Sequence, residues 1–217
     1  MIRKLILILS LPASAAAVSA ATPSECARPE APASAEDTCP LKVGSVIPAL
    51  TLTAADGKPF DFKAEVAKQP TLFVFYRGGW CPFCNAQLSK LTEIEPELKK
   101  LGVQVVAVSP DQTTFLREST QKHTLSYRLV SDHMGEAIKA FGLAYRVDDA
   151  TVAKLKSYKM DIEAASGQRH RLLPVPAAYL VGTDGVVRFA YANPDYKVRA
   201  DPDLLLVAAR KLAAPPK

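Results

Sequence analysis

The stretch that decides the fold runs from Thr71 to Cys84 and reads TLFVFYRGGWCPFC. Its opening run, Thr71–Tyr76, is apolar and rich in β-formers. Because this run is too short for a helix, it predicts a buried strand. Arg77-Gly78-Gly79 then breaks the strand, and Pro82 suits the first turn of a helix. The stretch therefore predicts a strand that passes into a helix through a turn carrying two cysteines.

The two cysteines of this turn, Cys81 and Cys84, are predicted to carry thiol redox chemistry. A thiolate is the nucleophile in disulfide exchange and in peroxide reduction. Cys81 stands at the predicted helix start, where free N–H groups and the helix dipole favour negative charge. Its pKa is therefore expected below the ordinary value of about 8.5. Cys84 shares an apolar stripe with Leu88 and Leu91, so it is expected to be the more buried sulfur, able to attack an oxidised Cys81.

Three neighbouring residues are expected to support the cysteines. Pro82 stiffens the turn and Trp80 can cover it. Arg77 either supports the Cys81 thiolate and a peroxide oxygen or forms an ordinary surface ion pair, and the sequence leaves both open. A zinc site would need two further ligands, but the other cysteines and the three histidines lack matching spacing. We therefore predict a site with no metal and no cofactor.

The rest of the chain predicts strands alternating with helices. The helix after the turn should run from Pro82 to Leu101. The further elements are strands near 103–109 and 127–130, helices near 112–122 and 135–141, an insertion at 146–171 with one helix, a hairpin of 177–181 and 186–191, and a helix at 202–212 capped by Asp201. This order predicts an α/β fold, a mixed central sheet covered by helices on both faces.

The N-terminus predicts export. Residues 1–20 combine a positive start, an apolar stretch and small residues before a cleavage point, as in a signal peptide. An uncleaved membrane anchor is the alternative, but the apolar stretch is short and contains Pro12. Cleavage after Ala20 would lower the net charge from +5 to +3. Residues 21–42 then form a flexible leader before a domain at 43–214. We expect a periplasmic protein with no stable membrane association after cleavage.

The leader and the overall charge give two further predictions. In an oxidising compartment, Cys26 and Cys39 are expected to form a structural disulfide, although one of them could instead act as an extra thiol. A sequence pI near 9.0 suggests nucleic acid as a partner. Because the sequence has no run of five like charges and no interleaved basic and aromatic patch, we predict that nucleic acid is not one.

The segment Phe75–Leu88 resembles the active-site segment of peroxiredoxin-like proteins of the alkyl hydroperoxide reductase/thiol-specific antioxidant family. The resemblance extends from Val43 to Leu206, through Val108-Ser109-Pro110, Leu129–Asp132 and Asn193–Tyr196. It implies a thioredoxin-like fold and thiol-dependent reduction of hydroperoxides, with an external thioredoxin-like dithiol as the electron donor. For Asn193–Tyr196 we predict only a turn.

The chain departs from this family at two positions. Gly78 stands where typical members carry a Thr or Ser hydroxyl, and Leu173–Ala177 lacks the Arg that they use to polarise the peroxide. Within that segment, Pro176 resembles the cis-proline that lies against the cysteines of thioredoxins. The resemblance favours a cis peptide bond, and an ordinary trans proline at the start of a strand is the alternative left open.

Three functions follow from these observations. The leading hypothesis is a thiol peroxidase in which Cys81 attacks the hydroperoxide and Cys84 resolves the product as a disulfide. The second is a thioredoxin-like protein thiol–disulfide oxidoreductase, favoured by the Cys-Pro-Phe-Cys spacing. A copper-binding module of the same fold ranks third, because such modules usually need wider cysteine spacing and a dedicated histidine.

Overall fold

A computed structural model describes residues 30–213. The described residues form nine strands: β1 (Thr51–Ala54), β2 (Pro59–Asp61), β3 (Thr71–Phe75), β4 (Gln104–Ser109), β5 (Arg128–Ser131), β6 (Ala144–Arg146), β7 (Leu172–Pro174), β8 (Ala177–Val181) and β9 (Val187–Ala192). They also form seven helices: α1 (Phe62–Lys68), α2 (Pro82–Lys100), α3 (Thr113–His123), α4 (Glu136–Ala140), α5 (Asp149–Ser157), α6 (Ile162–Ser166) and α7 (Pro202–Ala213).

Seven strands form one mixed sheet in the order β2-β1-β5-β4-β3-β8-β9, and β6 pairs with β7 separately. The strand β3 is central, since it runs parallel to β4 and antiparallel to β8. All five of its residues are buried because helices cover both faces of the sheet. The predicted mixed α/β sheet is therefore confirmed.

The residues of β3 alternate between two cores. Phe73 and Phe75 point to one face, where they pack with side chains of α1 and α4. Leu72 and Val74 point to the other face, where they pack with α2, α3 and α7. The residue after the strand, Tyr76, belongs to this second core, as do both cysteines of the turn.

The long helix α2 matches the predicted helix within one residue. Its apolar stripe of Leu88, Leu91 and Leu98 is buried against the sheet, and the helix continues through Pro96. The last helix also begins as predicted. Asp201 accepts a hydrogen bond from the Asp203 N–H at 2.8 Å, and Pro202 is the first helical residue.

The structure adds elements that the sequence analysis did not predict. A strand and a helix, β2 and α1, follow β1. The insertion at 146–171 holds two helices rather than one. These helices are short, and in α5 only Val152 is buried, so their apolar periodicity is weak. Aspartates at their N-termini stabilise them. Asp148 accepts from the Thr151 N–H, and Asp161 accepts from the N–H groups of Glu163 and Ala164.

The predicted leader, residues 21–42, lies against the domain over its described part. The N–H groups of Cys39 and Leu41 donate to the carbonyls of Gly142 and Phe141 at 3.0 and 3.1 Å. The Pro32 carbonyl accepts from the Arg146 N–H at 2.8 Å. Residues 30–42 are therefore docked rather than free.

Two predictions about the N-terminus fall outside what the structure covers. The predicted signal peptide and Cys26 lie outside the described residues. Cys39 is not a free thiol, but its pairing with Cys26 stays a prediction. Among residues 30–213, no helix is both long and apolar enough to span a membrane.

Candidate active site

The turn between β3 and α2 places Cys81 at the N-cap of the helix and Cys84 in its first turn. The Cys81 N–H donates to the Gly78 carbonyl at 3.1 Å, and the Asn85 N–H donates to the Cys81 carbonyl at 3.0 Å. Both sulfurs belong to free thiols, and the residues are 1% and 0% exposed. Exposure therefore separates the two cysteines much less than the sequence analysis expected.

The two cysteines differ instead in their pKa values. A hydrogen bond from the Cys84 thiol lowers the pKa of Cys81 to about 6, with help from the Cys84 N–H and from the charges of Arg77 and Arg199. Burial raises the pKa of Cys84 well above its ordinary value, and the neighbouring Cys81 raises it further. At neutral pH, Cys81 is thus a thiolate and Cys84 is the thiol that donates to it.

Arg77 lies inside the site. It is 6% exposed, and its guanidinium carbon lies 4.2 Å from the ring centre of Tyr196 and 5.1 Å from that of Trp80. Burial raises the pKa of the Tyr145 hydroxyl, and the charge of Arg77 and a hydrogen bond with its side chain partly oppose this rise. Of the two roles left open for Arg77, the surface ion pair is wrong, because aromatic rings hold the guanidinium near Cys81.

The position of Gly78 explains the missing hydroxyl residue. Its φ is +150°, and a Cβ there would lie 2.2 Å from Nε1 of Trp80 and 2.8 Å from Oδ1 of Asp111. The space that a Thr or Ser side chain would need is occupied by the Trp80 indole and a carboxylate. Trp80 therefore fills the site from within as well as covering it.

Asp111 is a site residue that the sequence analysis did not identify. It is 1% exposed, and its Oδ2 accepts a hydrogen bond from the Gly79 N–H at 2.7 Å. Its backbone is held by Ser109 and Ser131, which belong to two of the segments that resemble the family. Burial raises the pKa of Asp111 to about 7, despite the hydrogen bonds from Gly79 and Ser109.

A second arginine reaches the cysteines from a distant part of the chain. Nη2 of Arg199 donates to Sγ of Cys84 at 3.3 Å. Arg199 follows the Asn193–Tyr196 segment, to which the sequence analysis assigned only a turn. The segment from 193 to 199 thus supplies both Tyr196, stacked on Arg77, and Arg199. The pattern at 193–196 was the one signal in the sequence that pointed here.

Of the two forms left open for the peptide bond before Pro176, the structure has the trans form, because the described residues contain no cis peptide bond. The chain runs extended from β7 into β8, and this path is compatible with the trans form that X–Pro bonds normally adopt. The residue after Pro176, Ala177, pairs with Phe75. Pro176 therefore lies at the end of β3 from which the cysteine turn follows.

A cleft of about 360 Å³ opens beside Cys81. Its walls come from the start of α2, from α5 and the residues after it, and from the segment before α7. The apolar and aromatic lining residues are Trp80, Phe83, Leu155, Tyr158, Met160 and Tyr196. The described residues contain no group of three or more side chains placed to bind a metal ion. The nucleophile that lines this cleft is Cys81, whose lowered pKa makes it a thiolate.

Comparisons with known proteins give the same picture. The model of the AhpC/TSA family matches residues 43–190. Peroxiredoxin Bcp of Escherichia coli K12 is 32% identical over 104 residues, which are 48% of this chain and 66% of that protein. The thiol-disulfide oxidoreductase ResA of Bacillus thuringiensis is 26% identical over 104 residues, 48% of this chain and 59% of its own. The matched region thus spans less than two thirds of the length of each relative, 66% of the first and 59% of the second.

The fold is shared with solved structures. The crystal structure of peroxidoxin BcpB from Mycobacterium tuberculosis superposes with a TM-score of 0.62 at 18% identity. The match covers 79% of this chain and 98% of that one. At this level of identity the likeness concerns the fold alone, and it confirms the predicted thioredoxin-like fold.

Proposed function

The chain belongs to the AhpC/TSA family, and on that premise we propose that it is a thiol peroxidase that reduces hydroperoxides through Cys81. The observation that carries the proposal is the charge state of the pair. Cys81 is the N-cap of α2 and has a pKa lowered to about 6, so it is a thiolate at neutral pH. A thiolate is the form that attacks a peroxide.

The reaction proceeds in two steps at the cysteine pair. The Cys81 thiolate attacks the O–O bond, which breaks as the S–O bond forms, and the leaving alkoxide takes a proton to give an alcohol. The sulfenic acid on Cys81 then condenses with the Cys84 thiol to a disulfide and water. Arg77, held between aromatic rings, is placed to bind the negative oxygen that develops.

The cycle requires a dithiol that returns the Cys81–Cys84 disulfide to thiols. We assign this role to a thioredoxin-like protein, since a protein dithiol can attack Cys81 at the cleft and resolve the mixed disulfide itself. The signal-peptide pattern of residues 1–20 supports a periplasmic location for the reaction, which we include in the proposal. Nucleic acid and the membrane have no part in this proposal.

A second candidate function is protein thiol–disulfide exchange. It is favoured by two cysteines in hydrogen-bond contact across a single helical turn and by the similarity to ResA. The same Cys81 thiolate would then attack a protein disulfide, and Cys84 would release the substrate.

The experiment is a comparison of two second-order rate constants for the reduced protein from residue 21 onward, one with hydrogen peroxide and one with a disulfide-bonded protein. We expect the peroxide reaction to be the faster and to be lost in Cys81→Ser. The matched variant Cys84→Ser should still consume one peroxide per molecule, because only the resolving thiol is missing. A faster reaction with the protein disulfide would select the second function. Undiminished peroxide consumption by Cys81→Ser would rule out the peroxidase, and an undiminished reaction of this variant with the protein disulfide would rule out the second function.

A further inference from the structure

The segment of residues 193–199 places the guanidinium of Arg199 beside the sulfur of Cys84, for which the proposed mechanism names no stabilising group. Cys84 must lose its proton before it attacks the oxidised Cys81, yet burial and the negative charge on Cys81 both raise its pKa. Arg199 is the guanidinium in direct contact with this sulfur, 3.3 Å from Nη2 to Sγ. The proposed function assigns Arg77 a role but gives Arg199 none.

We propose that Arg199 is a catalytic residue for the resolving step, in which it stabilises the Cys84 thiolate that forms the disulfide. This inference rests on the proposed function. The family expectation places an arginine on the strand near residues 173–177, which this chain lacks. Arg199 follows the end of β9, where Ala192 pairs with Ala177, and it contacts the second cysteine rather than the first.

The surroundings of Cys84 make this assignment specific. The titratable and charged groups that act on it are Cys81, Arg199 and Tyr76, and the backbone of Arg77 also hydrogen bonds to its sulfur. Tyr76 is fully buried with a raised pKa, so it is neutral. Within residues 30–213, the cationic side chain that hydrogen bonds to Cys84 is thus Arg199. Its Nε and Nη1 atoms are buried and have no hydrogen-bond partner among the described residues, so the Nη2 contact with Cys84 is the hydrogen bond that the structure shows for this guanidinium.

The effect of the Arg199 charge on Cys84 depends on the state of Cys81. In the reduced protein the thiolate is on Cys81, and Cys84 keeps its proton as the donor to it. Once Cys81 has become a neutral sulfenic acid, the negative neighbour is gone and the Arg199 charge remains beside Cys84. Loss of the Cys84 proton then becomes favourable.

The step balances without any further reactant. The Cys84 thiolate attacks the Cys81 sulfur, the S–S bond forms and the S–O bond breaks. The departing hydroxide takes the proton that Cys84 released and leaves as water. When the disulfide is later reduced, a thiolate of the reductant attacks Cys81, and Cys84 leaves as a thiolate beside the same guanidinium.

The test compares Arg199→Met, which keeps the length and removes the charge, with Arg199→Lys and with the control Lys197→Met. Reduced protein is mixed with hydrogen peroxide, and both steps are followed by the fluorescence of Trp80, the single tryptophan of the chain. Dimedone, which traps sulfenic acids, measures how long oxidised Cys81 persists. Circular dichroism establishes that each variant is folded.

In Arg199→Met we expect the resolving step to slow at least about tenfold, because a guanidinium in direct contact with a buried thiolate has a large effect on its free energy. Dimedone labelling of Cys81 should rise accordingly. The first step should change by less than about threefold, since Arg199 is the weakest of the causes that lower the pKa of Cys81. Arg199→Lys should recover most of the rate, and Lys197→Met should behave as wild type.

A readout that packing alone would not move is the titration of Cys84 in the Cys81→Ser background, followed by thiolate absorbance. Adding Arg199→Met should raise the pKa of Cys84 there. An unchanged resolving rate in folded Arg199→Met, or an equal loss in Lys197→Met, overturns the inference.

Failure of the proposed function is recognised separately. If the wild type does not react with peroxide, the disulfide form is instead reduced with dithiothreitol. Slower release of Cys84 in Arg199→Met would still support the role of Arg199, and an equal rate would end it.

Discussion

The two faces of the central sheet are built from the same strands but have opposite characters. On one face, six aromatic rings pack together with centroid separations of 4.7–6.5 Å, from Phe60, Phe62, Phe73, Phe75, Phe141 and Tyr179. The other face holds the cysteines and Tyr76 among mostly aliphatic side chains, and Arg77 is buried beside them between Trp80 and Tyr196. The strand β3 supplies residues to both.

The difference teaches how stability and chemistry are divided in this molecule. The aromatic face has dense apolar packing and contributes stability. The cysteine face buries groups whose charged forms are costly to bury, such as Asp111 and the Cys81 thiolate. Substitutions on the aromatic face should therefore lower the free energy of unfolding and leave the reactivity of the cysteines unchanged. Substitutions on the cysteine face should change the pH dependence of stability and the rate with peroxide.

The largest expected effect is on the aromatic face. Phe73→Ala removes a fully buried ring stacked on Phe62 at 4.9 Å, and should lower the free energy of unfolding by about 3–5 kcal/mol. Urea denaturation measures this loss. The control is Phe115→Ala, at a residue 39% exposed on α3, which should change stability far less. The peroxide rate per folded molecule should stay unchanged, and a parallel loss of rate would mean that the faces are not independent.

A smaller effect is expected at Asp111. Its pKa is raised to about 7 in the folded protein, above the ordinary value of about 3.9 in the unfolded chain. The folded state therefore holds a proton that the unfolded state releases, and stability falls as pH rises from about 4 to 7. Relative to Asp111→Asn, the wild type should lose about 2–3 kcal/mol of unfolding free energy between pH 5 and 8.

This prediction is checked by urea denaturation at a series of pH values. Asp56→Asn is the matched control, because the Asp56 side chain is 58% exposed. Its curve should run parallel to the wild type. If the Asp111→Asn curve did the same, the carboxyl group would not be protonated in the folded state.

The smallest of the expected effects is the pH dependence of Cys81. With a pKa of about 6, its rate with peroxide should level off above pH 7 and fall about tenfold for each pH unit below 6. Cys84→Ala removes the donor that lowers this pKa most and should move the curve to higher pH. Cys84→Ser keeps a hydroxyl donor and should move it less. Equal curves for the two variants would show that the hydrogen bond has no such effect.

The elements that the sequence predicted well are those with strong local patterns. Thr71–Tyr76 was recognised from its apolar run, and the helix from Pro82 from its period and its proline. The helices of the insertion were harder, because their stabilising contacts are short aspartate caps rather than an apolar stripe.

For the candidate site, the local part could be predicted and the distant part could not. The two cysteines lie in one turn of chain, so their spacing is visible in the sequence. Arg199 lies 115 positions from Cys84, and Asp111 lies 32 from Gly79. Only folding brings these groups together, and neither belongs to a motif whose chemistry is evident from residue types.

The docking of residues 30–42 has a consequence for association between molecules. The strand β6 pairs with β7 on one side, and the N–H of Arg146 points away from that partner to the Pro32 carbonyl. A strand edge left bare is a template for pairing with another chain and for aggregation. The Pro32 carbonyl occupies this edge of the small sheet at Arg146, so the N–H of that residue is not available to pair with another chain.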